Sequence, residues 1–113
     1  MMTQQPFQVE VDRSGSHLRL VVEGEVDART APDLLDAFHE GNRPPAAIVQ
    51  VDLSAVSFFD SSGLVALQRL HQQATATGDS FAIVDPSPSV ERILQLTGLD
   101  QLLPIDRQRS PES

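Results

Sequence analysis

One strand limits what this chain can fold into. From Ala47 to Leu53, the residues Val49, Val51 and Leu53 alternate with Ile48, Gln50 and Asp52. A strand covered by helices on both faces reads as an unbroken apolar run, because neither side meets water. Gln50 and Asp52 break that run. The pattern therefore predicts helices on one face only, in a two-layer α/β sandwich rather than a doubly wound sheet.

The other elements read in the same way. Phe7, Val9 and Val11 alternate with polar residues, as do Leu18, Leu20 and Val22, so both runs predict half-buried strands. Arg13-Ser14-Gly15-Ser16-His17 between them has turn chemistry, which makes the pair an antiparallel hairpin. Thr30-Ala31-Pro32-Asp33 opens a first helix with Thr30 as N-cap; Leu34, Leu35 and Phe38 form its stripe and Gly41 its stop. A second helix runs from about Ser62 to Thr77, with Leu64, Leu67, Leu70 and Ala74 at helical spacing and Gly78 as its stop. Phe81–Val84 is a fourth strand. Ser87-Pro88 starts a third helix with Val90, Ile93 and Leu94 inward, ended by Gly98. Leu102, Leu103 and Ile105 suggest a short edge strand, which makes a mixed sheet of four to five strands. Residues 1–105 form a single domain, and 106–113 is polar and expected to be a disordered tail.

Composition excludes several functions. The net charge of −8 and pI near 4.6 leave no basic footprint for nucleic acid. All eight basic residues are Arg, and the missing Lys removes phosphate-loop and Schiff-base chemistry. Cysteine is absent, so disulfides and thiolates are excluded. No apolar run is long enough to span a membrane, and Met1 to Pro6 does not resemble a signal peptide, so a cytoplasmic location is expected.

The stretch Ser57-Phe58-Phe59-Asp60-Ser61-Ser62-Gly63 joins the third strand to the second helix. Such junctions on α/β sheets commonly carry function. A purely structural account has Asp60 or Ser61 as N-cap and both phenylalanines packed under the helix. Capping does not account for Gly63, since glycine in a helix costs about 1 kcal/mol relative to Ala, less in the first turn. A glycine there leaves open backbone for something to approach.

Three blocks carry a family resemblance: "DLSAVSFFDSSGLVAL", "VEGEVDARTAPDL" and "ERILQLTGLDQLLPI". Together they resemble the STAS domain family, in which anti-sigma-factor antagonists carry Asp-Ser-[Ser/Thr]-Gly at this junction. The resemblance covers nearly all of residues 7–105. It implies partner switching. The unphosphorylated antagonist binds an anti-sigma factor that is also a serine kinase, which frees the sigma factor. The kinase then phosphorylates the antagonist, and a serine phosphatase resets it. The serine that matches is Ser61. Gly24, Glu25 and Asp27 match the loop near the phospho-site, and with Asp60, Ser61, Ser62 and Gly63 they make up the expected partner-binding set. Members attached to transporters often lack the serine, and stressosome scaffold members carry an N-terminal sensor domain, so the stand-alone antagonist fits best, as a monomer or weak dimer. The alternative is a STAS binding or scaffold module of a signalling or transporter-associated complex, never phosphorylated.

Enzymatic readings are weaker. Gly-x-Ser-x-Gly is absent, and His17, His39 and His71 fall on a hairpin and two helices. A phospho-aspartate receiver would use Asp52 and Asp60 bracketing a strand end, but its Lys is missing. Asp27, Asp52 and Asp60 as a cation cluster compete with their simpler role as helix caps and loop ends. The expectation is no enzyme, no metal and no cofactor.

Overall fold

The computed structural model describes residues 6–108. Its elements run β1 (Gln8–Ser14), β2 (His17–Val26), α1 (Ala31–Gly41), β3 (Ile48–Phe59), α2 (Ser61–Ala76), β4 (Ser80–Val84), α3 (Pro88–Thr97), a 3₁₀ turn (Leu99–Gln101) and β5 (Ile105–Asp106). The five strands lie side by side in chain order. β1 and β2 are antiparallel, joined by a two-residue turn in which Gly15 takes φ +59°. β2, β3, β4 and β5 are parallel.

The expected one-sided sheet is borne out. Leu18, Leu20 and Val22 of β2 are buried with Val49, Val51 and Leu53 of β3. Leu34 and Phe38 of α1, Leu64, Leu67 and Leu70 of α2, and Val90 and Leu94 of α3 join them in one core. Each such side chain contributes about 1.5–3 kcal/mol by leaving water. The opposite face carries polar pairs beside the exposed Ile48 and Phe58. There Arg19 Nη2 lies 2.9 Å from Asp52 Oδ2, and His17 Nε2 lies 2.7 Å from Gln50 Oε1. Burial works against the Asp52 carboxylate, but it accepts the N–H and hydroxyl of Ser54 and pairs with Arg19, and the net effect holds it below the ordinary carboxylate value.

Some boundaries differ from expectation. β3 does not stop at Leu53 but runs to Phe59, because Glu23, Gly24, Glu25 and Val26 of β2 continue to pair with it across two irregularities in register. Thr30 stands at the N-cap of α1, but its side chain caps nothing: its hydroxyl donates to the Glu25 carbonyl and accepts the Asp27 N–H. Gly41 does not stop α1 either. It is the last helical residue, and a Cβ there would meet Val11 Cγ1 at 2.7 Å, so close approach of the hairpin requires it. Leu102 and Leu103 stay outside the edge strand, which consists of Ile105 and Asp106 alone. Residues 106–108 do not belong to the expected tail. Asp106 pairs with Val84, Arg107 forms an ion pair with Glu91, and the Gln108 N–H donates to Asp85 Oδ1 at 2.8 Å. The rest of that tail, 109–113, lies outside the described residues.

Candidate functional site

The register of the sheet assembles the junction. Val26 of β2 pairs with Phe59 of β3, and the Asp60 N–H donates to the Val26 carbonyl at 3.3 Å. The chain segments that follow, Asp27 on one strand and Asp60-Ser61 on the other, therefore leave the sheet side by side at the same end.

Asp60 is the N-cap of α2. Its backbone is extended, and Oδ1 accepts the Ser62 N–H at 2.9 Å, which satisfies one of the donors a helix start leaves free. Of the two residues considered for that role, Asp60 takes it, so Ser61 is the first helical residue. Ser61 is exposed, and its hydroxyl has no hydrogen-bond partner among the described residues. Its Oγ is therefore free to react without breaking a contact.

Asp27 folds back on its own loop. Oδ1 accepts the N–H of Arg29 at 2.9 Å and of Thr30 at 3.2 Å, and Arg29 Nη2 lies 3.7 Å from Oδ2. Burial opposes the charge, yet those N–H groups and the Arg29 guanidinium outweigh it and hold the carboxyl below its ordinary value. Asp27 is thus anionic at neutral pH, at the end of the sheet where α2 begins.

Gly24 and Glu25 are not loop residues; both lie within β2. Gly24 takes φ +90° at an irregularity in the pairing, and a Cβ there would meet the Pro6 carbonyl oxygen at 2.5 Å. Glu25 pairs with Phe58 across the strands. Gly63 also departs from expectation. It is buried rather than open, with the Phe59 ring filling the place of its missing side chain. The two phenylalanines separate as well. Phe59 packs under α2, whereas Phe58 stands 47% exposed. Alternation along a strand accounts for this: adjacent residues face opposite sides.

Two features were missed in the sequence. Phe58 is one. The other is a groove of about 300 Å³ between α1 and α2, lined by Ala28, Ala31, Leu35, Val65 and Arg69 and reaching Ser62. Val65 is 49% exposed beside it. Helical periodicity marked Leu64 and Leu67 as inward, but it could not show that Val65 would face a shallow gap.

β3 extends past Asp52, so Asp52 and Asp60 are separated by eight residues, roughly 25 Å at about 3.3 Å each. They do not bracket one strand end. His39 Nε2 meets Gln73 Oε1 at 2.8 Å, and the His71 ring packs on Phe81. Among the described residues no group of three or more His, Cys, Asp or Glu is placed to hold a metal, and no helix is long and apolar enough to cross a membrane.

The sequence model described as "Mlab, STAS domain" matches residues 9–104. An anti-sigma-B factor antagonist of Listeria monocytogenes is 27% identical over 94 residues, 83% of this chain and 82% of that protein. The crystal structure of an anti-sigma factor antagonist from Mycobacterium paratuberculosis superposes with a TM-score of 0.79 at 30% identity, covering 88% of this chain and 85% of the other. The Bacillus cell fate determinant SpoIIAA, solved in its phosphorylated form, shares the fold with a TM-score of 0.70 at 18% identity, covering 95% of both chains.

Proposed function

The chain belongs to the STAS domain family, with anti-sigma factor antagonists among its relatives, and on that premise we propose that it is a partner-switching antagonist controlled at Ser61. Unphosphorylated, it binds an anti-sigma factor that is a serine kinase, and a sigma factor is released. The kinase transfers the γ-phosphoryl group of ATP to Ser61 Oγ, and ADP leaves. A serine phosphatase reverses the modification. Catalysis belongs to these partners; this chain supplies a substrate hydroxyl and a docking surface.

The observation that carries this reading is the division of labour at the start of α2. Asp60 caps the helix, so the exposed Ser61 hydroxyl is left with no structural task. A phosphate there adds about −1.5 to −2 charge at neutral pH. The helix dipole favours it by only about 0.3–1 kcal/mol. Asp27 and Asp60 oppose it. The local balance is small, and the fold should not change. Against a partner packed over the start of α2, however, a charge that finds no counterpart typically costs several kcal/mol. The modification therefore acts on affinity.

The test is incubation with the serine-kinase anti-sigma factor of the same organism and ATP, followed by intact mass and peptide mapping. One phosphate on Ser61, absent from Ser61→Ala, supports the proposal. An unchanged mass together with tight binding would instead make the chain a constitutive binding module.

A further inference from the structure

Away from Ser61, the fold leaves one long strand edge open. β1 lies at the border of the sheet, and among the described residues no strand pairs with its outer side. It is seven residues long and lacks proline, one of the usual ways of blunting an edge. In a hairpin with a two-residue turn, the residues flanking the turn exchange hydrogen bonds, and the pattern then alternates. Ser14, Asp12, Glu10 and Gln8 therefore bond inward to β2. Val9, Val11 and Arg13 direct their N–H and C=O groups outward.

The side chains along this edge define what fits it. Val9 and Val11 are paired with the buried Val22 and Leu20, which places them on the helix side of the sheet. Val11 is nevertheless 42% exposed, because the sheet ends there. Glu10 and Asp12 point to the open face, with Glu23 on the neighbouring strand. Arg19 stands opposite Asp12 but directs its guanidinium to Asp52. On the helix side, Asp33, Asp36 and Glu40 line a groove of about 370 Å³ with Phe7 and Val9. The edge is thus flanked by carboxylates on both faces. Arg13, on the same strand, is held by the carbonyls of Gly41 and Pro44 at 2.9 and 2.7 Å.

We propose that the outer edge of β1 docks an extended basic segment of a partner protein, which adds to the sheet as a further strand. Directly opposed residues on one face are the unit of sheet stabilisation. Basic side chains opposite Glu10 and Asp12 would alternate with an aliphatic one opposite Val11. Main-chain hydrogen bonds supply affinity in strand addition, and the alternating side chains supply specificity. A second copy of this chain is disfavoured at the same edge, because Glu10 and Asp12 would meet like charges. The site is independent of Ser61 and of the switching described above.

The probe is the capped peptide Arg-Val-Arg-Val-Arg-Val, added to the full chain and followed by backbone amide spectra and hydrogen exchange. The expected result is slowed exchange at the Val9 and Val11 amides and shifts confined to β1 and its flanks. Alternate N-methylation of the peptide, which removes the pairing donors but keeps every charge, should weaken binding at least tenfold. Glu10→Gln with Asp12→Asn should weaken it similarly. Equal binding by the N-methylated peptide would reduce the attraction to general electrostatics and overturn the proposal. So would absence of binding at millimolar peptide, shifts spread over other acidic surfaces, or dimerisation of the chain through β1.

Discussion

The ring of Phe59 occupies the space that a side chain at position 63 would need: a Cβ on Gly63 would lie 2.6 Å from Phe59 Cε1 and 2.7 Å from Cζ. The glycine of the junction is thereby tied to the last residue of β3. It lets α2 settle onto the strand that leads into it, and this contact fixes where Ser61 emerges.

Gly63→Ala should accordingly destabilise the fold. Overpacking a filled site costs about 1–3 kcal/mol. Better helix propensity returns at most about 1 kcal/mol, less in a first turn. Urea unfolding should show a net loss of roughly 1–2 kcal/mol. Phe59→Leu combined with Gly63→Ala should recover part of it, as a coupling in a double-mutant cycle. Additive losses would separate the two residues.

Asp60 and Ser61 should behave in opposite ways. Asp60→Ala removes the cap and should cost about 1 kcal/mol, while Asp60→Asn keeps an acceptor and most of the stability. Ser61→Ala should change stability by less than about 0.5 kcal/mol, as surface substitutions do. Equal losses at the two positions would contradict the assignment of the cap.

Asp27 and Asp52 give the stability a sign in acid. Both carboxyls are held below the ordinary value of 3.8 in the folded chain. Their stabilisation is present in full above that value and is lost as pH falls through it towards their folded pKa. Asp52→Asn should be less stable than wild type at neutral pH and should lose less on acidification to about pH 3. Parallel pH profiles for the two proteins would rule out Asp52 as a source of the dependence.

Phe58 and Val65 should matter for binding and not for folding. Both are about half exposed, at 47% and 49%. Phe58→Ala should weaken binding to the anti-sigma factor by at least tenfold, about 1.4 kcal/mol, with an almost unchanged melting temperature. Val65→Glu should act in the same direction. A lowered melting temperature with intact affinity would assign Phe58 to the core instead.

The sequence held the architecture because the architecture depends on periodicity. Gln50 and Asp52 announced the open face, and Leu64, Leu67 and Leu70 announced the face of α2; both are where the alternation put them. What periodicity could not show was tertiary. β3 runs on to Phe59 because β2 keeps pairing with it, and Ala55 to Phe58 carry no clean alternation by themselves. Gly63 and Gly41 looked like conformational choices, yet each is a packing choice set by a residue elsewhere in the fold, Phe59 or Val11. At the site, Asp60 and Ser61 were both legible as capping candidates, but only backbone geometry separates the cap from the free hydroxyl. The division between a buried Phe59 and an exposed Phe58 depended on the strand's true end.

The proposed switch at Ser61 is tested most directly by calorimetric titration of a serine-kinase anti-sigma factor with two forms of this chain, unmodified and phosphorylated on Ser61. The account predicts that the phosphorylated form binds at least tenfold more weakly, a loss of about 1.4 kcal/mol, while its amide spectrum changes only around Asp27 and the start of α2. Equal affinity of the two forms, or shifts spread through the whole sheet, would contradict it.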